Sequence, residues 1–263
     1  MKVAVVMTGH MRGGLRNFPH AHHNFFSHYD VDTFIGVWDQ QEGGEKITPQ
    51  HLLPYRDVNL VKYEICDIDE YNRTKTPCML DYDREYSIDY ISKLSKHEVF
   101  ARFMIQSEEK ERGTHCGFGP EAVEYWANRI KDQYYMVKRA SKLVEDFDKY
   151  DLVVRLRFDF LFLKPLILEP IDGKMVVATN TQGNMHYDCI QYGPPKIMKK
   201  YFLLHDHIDN FIGSLNYLNK FSYERFNAEN MMKHYMEEHG DKKYELFPSP
   251  SLKEHVDFIL QRG

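Results

Sequence analysis

Three charged side chains lie inside an otherwise apolar segment in the middle of the chain. The segment Tyr150–Phe162 has the sequence YDLVVRLRFDFLF and carries Arg155, Arg157 and Asp159 at alternate positions. Alternate residues of a β-strand share one face, so the sequence predicts that all three side chains point to the same side of a sheet. Charged groups in an apolar strand are costly unless they pair with each other or bind a polar ligand. The segment is therefore either a structural Arg–Asp cluster or a site for an anion and a metal ion.

Asp159 is the carboxylate that we expect to bind a metal ion. Asp-x-Asp pairs occur at four other places in this Asp-rich chain, so spacing alone decides nothing. Asp159 differs because it lies where a buried central strand is predicted to end, and open α/β sheets hold their ligands at that edge. Mn²⁺ or Mg²⁺ prefers oxygen ligands and would be held here by one carboxylate, phosphate oxygens and water.

The overall composition limits the classes of partner. The chain has 263 residues, enough for a single large domain over 1–263, and its 43% of apolar residues is typical of a globular protein. A net charge of -5 without a dense basic block argues against nucleic acid as the main partner. A small anionic substrate stays compatible with this composition because a local pocket can be basic.

The cysteine pattern and the apolar runs predict a soluble, cytoplasmic protein. The four cysteines form neither a CxxC pair nor a secreted disulfide pattern, and they are interpreted as reduced thiols: Cys66, Cys78, Cys116 and Cys189. The apolar run at the N-terminus ends at Thr8, which is too short for a signal peptide. No later stretch is apolar for long enough to form a transmembrane segment.

Hydrophobic periodicity predicts alternating strands and helices, hence βαβ units and an α/β fold with a mainly parallel sheet flanked by helices. Beyond the central segment, strands are predicted at Lys2–Met7, Asp32–Trp38, Val58–Ile65, Lys174–Thr179, Met185–Tyr192 and Tyr244–Phe247. Helices are predicted from the first turn to Tyr29 and at Pro120–Tyr150, Pro195–His205 and Glu224–His239. The polar range 67–119 is interpreted as a helical insertion beside the active face, with a helix at Glu85–Glu111.

Four motifs carry a resemblance to a known family. They are TGHMR at Thr8–Arg12, VWD at Val37–Asp39, the central YDLVVRLRFDFLF and YDCIQYG at Tyr187–Gly193. In this order they resemble the GT-A-fold glycosyltransferase-like proteins of bacterial surface-polysaccharide (LPS) synthesis and of large DNA viruses. The resemblance implies a GT-A-like fold and a hexosyl- or pentosyltransferase that uses a nucleotide-sugar donor, a glycan acceptor and divalent Mn or Mg. The family's Asp-x-Asp motif is represented here by Asp159 alone, which leaves the number of protein metal ligands open.

The resemblance also implies that the loop after the first strand lines the donor-nucleotide pocket through Thr8, Gly9 and Arg12. Gly9 lets the backbone approach a ligand, and Arg12 offers a planar donor fork that suits a diphosphate. The alternative is an ordinary strand-to-helix turn with a solvent-facing arginine.

The second strand and the central strand supply the remaining donor-binding candidates. Trp38 would flank the nucleobase and Asp39 would accept hydrogen bonds from the base or the ribose, while the alternative places Trp38 in the core. Arg155 and Arg157 complete the predicted nucleotide-sugar-binding set. For this pair the alternative is that at least one arginine orients Asp159 rather than touching the donor.

Two carboxylates are candidates for the catalytic base that an inverting transferase needs near the anomeric carbon. Asp188 lies in the strand-like segment MHYDCIQYG, and Glu229 lies in the predicted helix FNAENMMKHY. We favour Asp188. For either residue the alternative is an ordinary surface or capping acid.

Two other function classes share these features. A non-catalytic nucleotide- or sugar-binding module would keep the pocket without turnover. A sugar nucleotidyltransferase is the second alternative, but TGHMRGGLR lacks the closely packed Gly-rich loop with the Lys or Arg that should follow it. A dehydrogenase, a P-loop enzyme and a serine hydrolase are disfavoured because GxGxxG, GxxxxGK[ST] and GxSxG are absent.

Overall fold

The computed structural model describes residues 1–41, 44–77, 120–169, 173–179, 186–209, 228–239 and 246–248. Within these ranges seven strands form one sheet in the order β3-β2-β1-β4-β6-β5-β7. The strands are β1 Lys2–Gly9, β2 Asp30–Trp38, β3 Leu60–Cys66, β4 Leu152–Arg157, β5 Met175–Thr179, β6 His186–Gly193 and β7 Leu246–Pro248.

The described helices connect and cover these strands. The α-helices are α1 Gly14–Asn24, α2 Ile68–Thr74, α3 Pro120–Ser141, α4 Pro195–Tyr201 and α5 Ala228–His239. Three 3-10 helices lie at Phe26–His28, Pro49–Val58 and Leu204–His207. Among the described residues no helix is long and apolar enough to cross a membrane.

The sheet is mixed and mainly parallel. Strand β1 pairs in parallel with β2 and β4, β2 pairs in parallel with β3, and β5 pairs in parallel with β7. Strand β6 runs antiparallel to both of its neighbours, β4 and β5. The predicted fold class, an α/β protein with a mixed, mainly parallel sheet flanked by helices, is confirmed.

Strand alternation builds a core on each face of the sheet. Ala4 and Val6 of β1 face a cluster that includes α3, α4 and α5. Val3 and Val5 face the other cluster, which includes α1, the 3-10 helix at Pro49–Val58 and the aromatic residues after β4. The sheet is therefore the middle of three layers, with α1 and α3 on opposite faces.

This arrangement creates a topological switch point between β1 and β4. The chain leaves β1 through α1 and enters β2 on one side, whereas β4 lies on the other side of β1 and follows α3 from the opposite face. Open α/β sheets bind ligands in the crevice at such a point, outside the carboxyl ends of the strands. The strand order alone therefore predicts a ligand site at the edge beyond Gly9 and Arg157.

Two predicted boundaries in the middle of the chain are wrong. Helix α3 ends at Ser141 and does not continue to Tyr150. The acid-rich stretch that follows makes local bonds instead, with the Asp148 N–H donating to Asp146 Oδ1 at 2.9 Å, and such side-chain turns compete with helix. The predicted strand over Tyr150–Phe162 is regular only across β4, and the residues after Arg157 turn into the core.

Other predicted elements are confirmed with shifted ends or lie outside the described residues. The predicted third strand begins at Leu60, because Pro49–Val58 is a 3-10 helix that ends at Asn59 in a left-handed conformation with φ 50°. Of the proposed insertion over 67–119, the structure describes only 67–77, which contains α2. The predicted helix at Glu85–Glu111 lies outside the described residues.

Candidate functional site

The carboxyl ends of β1, β2 and β4 meet at one edge of the sheet. Strand β1 ends at Gly9, β2 at Trp38 and β4 at Arg157, and parallel pairing aligns these ends. Thr8 is the register partner of Arg157 across the switch point. The loops that carry the predicted donor-binding residues therefore follow neighbouring strands.

The loop after β1 is a tight turn into α1. Gly9 has φ 106° and Arg12 has φ 36°, both in the left-handed region. Gly9 adopts this conformation at little cost, whereas a non-glycine residue held there costs about 1–3 kcal/mol and often marks a functional site. The Gly14 N–H donates to the Met11 carbonyl at 2.6 Å and closes the turn.

The N-terminus of α1 points its first-turn N–H groups toward this edge. Within the described part of the chain no side chain caps the helix, and its first turn contains no acidic residue. Gly14 lets the helix approach the loop after β4, because a Cβ at this position would lie 3.0 Å from the Phe158 Cβ. An uncapped helix N-terminus carries partial positive charge and favours anions.

An ion pair joins the loops after β1 and β4. The Arg12 Nη1 group donates to Asp159 Oδ2 at 2.9 Å across 147 residues of sequence. The Asp159 side chain is only 4% exposed, while Arg12 keeps 24% exposure. This contact spans the crevice that the strand order defines.

Arg157 lies between two carboxylates. Its Nε and Nη2 donate to Asp159 Oδ1 and Oδ2 at 2.9 and 2.5 Å, and its Nη1 donates to both oxygens of Asp188 at 2.9 and 3.1 Å. Burial opposes the positive charge, but Asp188 and Asp159 outweigh it and raise the pKa of Arg157 above its ordinary value. Arg157 is therefore a permanent cation with a fixed orientation.

Asp159 reaches this cluster by a turn rather than by strand alternation. Alternation predicted Arg155, Arg157 and Asp159 on one face of a single strand, but β4 ends at Arg157. Burial would raise the pKa of Asp159, yet the guanidinium groups of Arg157 and Arg12 lower it below its usual range. Asp159 is thus an ionised carboxylate whose two oxygens both accept hydrogen bonds from arginines.

Asp188 joins the cluster from β6. The pairing of β5 with β6 is irregular here, since the partner jumps from Gln191 opposite Val177 to Tyr187 opposite Ala178. Besides Arg157, Asp188 accepts a hydrogen bond from Gln133 Nε2 of α3 at 2.6 Å.

The surroundings of Asp188 weaken it as a base. Burial would raise its pKa, but Arg157 and then Arg155 lower it below the ordinary value. A carboxylate with a lowered pKa and both oxygens engaged accepts a proton poorly. These contacts favour a role for Asp188 in holding Arg157.

Arg155 lies deeper and donates its hydrogen bonds to neutral side chains. It is 1% exposed, and its Nε donates to Thr8 Oγ1 at 3.2 Å while its Nη1 donates to Gln191 Oε1 at 3.4 Å. The Tyr201 hydroxyl also donates to Gln191 Oε1, at 3.2 Å. Arg155 and Thr8 are therefore buried beneath the edge, which favours the structural alternative for these two predicted donor-binding residues.

The predicted pair at the end of β2 makes structural contacts. Trp38 is 4% exposed and packs against Tyr71 and Tyr135, with ring centroids 5.1 and 5.9 Å away. Asp39 Oδ1 accepts the Ile68 N–H at 3.0 Å at the start of α2. The aromatic packing favours the core alternative for Trp38.

The second base candidate, Glu229, follows the first residue of α5. The carbonyl of Ala228 accepts a hydrogen bond from the Tyr134 hydroxyl at 3.0 Å. Gln133, the neighbour of Tyr134 on α3, donates a hydrogen bond to Asp188. Adjacent residues of α3 thus contact the segments that carry the two candidates.

Sequence reasoning missed several polar residues of this region. Gln191 lies in the motif YDCIQYG and could have been found as a polar residue in a predicted strand, but Gln133 lies on a long helix with nothing local to mark it. Asn17 lines a small cavity with about 10 Å³ of free space, together with Gly14, Tyr55, Arg157 and several apolar side chains. Asn17 is 3% exposed, and its Nδ2 has no hydrogen-bond partner among the described residues.

The described residues do not fit the expected Mn or Mg ion. Among them, no group of three or more His, Cys, Asp or Glu side chains is arranged to hold a metal ion. The carboxylate expected to bind it, Asp159, is already paired with Arg12 and Arg157. A dication there would displace these hydrogen bonds and lie beside two positive charges, which is electrostatically unfavourable.

The fold and the site together define an α/β protein with an arginine-rich site at its switch point. The sequence matches no protein-family model and no curated protein. Among solved structures, apo mouse xyloside xylosyltransferase 1 aligns with 94% of this chain and 85% of its own, at 7% identity and a TM-score of 0.34. A likeness of this size carries no argument about function, so function has to be argued from the site itself.

Proposed function

We propose that the protein is a GT-A-type glycosyltransferase. It moves a hexosyl or pentosyl group from a nucleotide-diphosphate sugar to a hydroxyl group of a glycan or another acceptor. The observation that supports this proposal is the Arg12–Asp159–Arg157 cluster across the β1/β4 switch point. The sequence motifs named above coincide with this cluster and supply the resemblance to glycosyltransferases.

The reaction needs a site that accepts negative charge. The bond between the anomeric carbon and the diphosphate oxygen breaks, the nucleoside diphosphate leaves with the electron pair, and the acceptor oxygen bonds to that carbon while its proton is lost. Prearranged cationic donors stabilise the charge that develops on the leaving group. Guanidinium groups suit this task because their planar forks match phosphate oxygens.

The exposure of the arginines divides their proposed roles. Arg12 and Arg157 keep side-chain exposures of 24% and 19%, so both are within reach of a ligand in the crevice. Gly9 and the first turn of α1 would place backbone N–H groups beside the same phosphates. Arg155 and Thr8 support the cluster from below, and Asp159 orients the two exposed guanidinium groups.

Two carboxylates, Asp188 and Glu229, are the candidates for the base that accepts the proton of the acceptor hydroxyl. Asp188 is bound by Arg157 and Gln133 and has a lowered pKa. We assign Asp188 to positioning Arg157, and Glu229 is then the remaining candidate for a base. Asp39 stays a candidate for contact with the ribose; its Oδ1 accepts the Ile68 N–H, and its Oδ2 lies 3.9 Å from Lys46 Nζ.

A non-catalytic nucleotide- or sugar-binding module is the second candidate function. The observation that favours it is that Asp159 and Asp188 have all four carboxylate oxygens engaged by arginine N–H groups. Such a network can bind an anion without any group that accepts the acceptor's proton. The sugar nucleotidyltransferase alternative has no comparable observation in its favour.

Donor turnover separates these candidates. The purified protein is incubated with a panel of nucleotide sugars, with and without Mn²⁺ and with mixed glycans, and free nucleoside diphosphate is measured. Release that Arg12→Gln lowers by about tenfold or more supports the transferase. Donor binding without release supports the binding module, and neither binding nor release from any donor contradicts both.

A further inference from the structure

The carboxylates of the cluster are fully used by protein donors. Asp159 Oδ2 accepts from both Arg12 and Arg157, and Asp159 Oδ1 accepts from Arg157. Both oxygens of Asp188 accept from Arg157, and one also accepts from Gln133. A metal ion would have to replace arginine hydrogen bonds at each carboxylate.

The charge of the cluster favours an anion over a cation. Within the described residues it contains the guanidinium groups of Arg12, Arg155 and Arg157 against the carboxylates of Asp159 and Asp188. One positive charge is therefore in excess. Arg155 is buried, donates hydrogen bonds to neutral side chains and acts on the nearby carboxylate of Asp188, where charge interactions are less screened than in water.

A further buried polar group lies beside the first turn of α1. The cavity beside the first turn of α1 is lined by Arg157 and by Asn17, whose buried Nδ2 has no partner among the described residues. Buried N–H donors rarely stay unsatisfied in native proteins. The cavity has about 10 Å³ of free space, so a single water molecule would satisfy this donor.

We propose that guanidinium groups, and not a divalent cation, hold the donor's diphosphate in this protein. This inference rests on the proposed glycosyltransferase function and replaces the expected metal ion with Arg12 and Arg157. Asp159 then serves as the positioning residue that orients both arginines. Binding of a nucleoside diphosphate does not require Mn²⁺ or Mg²⁺.

Calorimetric titration of the full chain tests the inference. UDP, GDP, CDP, ADP and dTDP are titrated separately in excess EDTA and again in excess Mn²⁺ or Mg²⁺. We expect the affinity for the best of these probes to change by less than about threefold between the conditions, which is under 1 kcal/mol.

Asp159→Asn distinguishes a positioning role for Asp159 from a role as metal ligand. If Asp159 orients arginines, Asp159→Asn removes one acceptor and a negative charge, so any change in affinity is the same within about threefold in EDTA and in Mn²⁺ or Mg²⁺. If Asp159 is a metal ligand, the metal-dependent affinity falls by about tenfold or more. Arg12→Gln is the matched variant that should weaken binding in EDTA by about tenfold, and circular dichroism checks that each variant is folded.

Each outcome has a defined meaning. The inference is supported by binding that persists in EDTA, that Asp159→Asn changes equally with and without metal, and that falls in Arg12→Gln. Binding that needs Mn²⁺ or Mg²⁺ and is lost in Asp159→Asn overturns the inference and leaves the proposed function standing. No binding of any probe in either condition overturns both, and EDTA-resistant binding that Arg12→Gln does not weaken overturns the arginine site.

Discussion

Arg157 and Asp159 form a two-bond ion pair at the carboxyl end of β4, with Nε–Oδ1 and Nη2–Oδ2 distances of 2.9 and 2.5 Å. Because two parallel bonds fix the plane of the guanidinium group, Nη1 is left to point at Asp188. Arg12 extends the chain of contacts to the loop after β1, and Gln133 extends it to α3. One continuous hydrogen-bond network thus joins the loops after β1 and β4 to α3.

Asp188→Asn should change the acid stability of the protein. Ion pairing lowers the pKa of Asp188 and Asp159. As the pH decreases, the unfolded chain therefore takes up protons before the folded protein does, and the free energy of unfolding decreases. This contribution is complete above about pH 5 and is lost below about pH 4 as the folded pKa values are passed. The variant should lose about 1–3 kcal/mol at neutral pH and show a shallower decline in acid. Urea unfolding at a series of pH values measures the free energy of unfolding of the unaltered protein and of the variant. Identical declines in acid for the two proteins would contradict the pairing.

Thr8→Val should destabilise the protein through Arg155. The isosteric change removes the hydroxyl that accepts from Arg155 Nε and leaves a buried charged donor with one partner fewer. We expect a loss of about 1.5–3 kcal/mol in the free energy of unfolding. Thr8→Ser keeps the hydroxyl and is the matched control, so a loss in Thr8→Ser equal to that in Thr8→Val would show that the hydrogen bond is not the cause.

Gly36→Ala tests the packing of α3 on β2. A Cβ at Gly36 would lie 2.7 Å from the Ala140 Cβ, a distance that neither backbone can accept without moving. Overpacking of this kind costs about 1–3 kcal/mol, measured by thermal or urea unfolding. Adding Ala140→Gly should recover part of this loss, although glycine in a helix itself costs about 1 kcal/mol relative to alanine. Fully additive effects of the two changes would contradict the contact.

Trp38→Phe should affect stability and not ligand binding. The Trp38 ring packs against both Tyr71 and Tyr135, which also contact each other, so a smaller ring leaves a gap that costs about 1–3 kcal/mol in unfolding experiments. The affinity for the best nucleoside diphosphate should stay within about twofold, whereas loss of base stacking would cost about 1–3 kcal/mol in binding. A binding loss of that size in a variant with unchanged stability would restore Trp38 to the nucleotide site.

Local pattern was sufficient to predict the α/β class and the edge that carries the site. Apolar runs with alternating strand and helix character located every described strand, and the strand-end rule pointed to Asp159. The pairing of Arg12 with Asp159 could not be predicted in this way, because it joins residues 147 positions apart. Only the strand order, which places β4 beside β1, brings them together.

Strand alternation failed where the strands themselves are irregular. Asp159 lies past the end of β4, and Asp188 lies where the β5–β6 register shifts, so neither carboxylate obeys the two-residue period. The contacts that compete with a metal ion at Asp159 are likewise invisible in the sequence. The sequence shows that Asp159 is present but not that two arginines from different loops occupy its oxygens.

A crystal structure of the protein with a bound nucleoside diphosphate is the most direct test of whether Arg12 and Arg157 bind the diphosphate. We expect phosphate oxygens within hydrogen-bonding distance of the Arg12 or Arg157 guanidinium group, beside the first turn of α1 at the β1/β4 switch point. Phosphates bound elsewhere, with the Arg12–Asp159–Arg157 contacts intact and no ligand beside them, would contradict it.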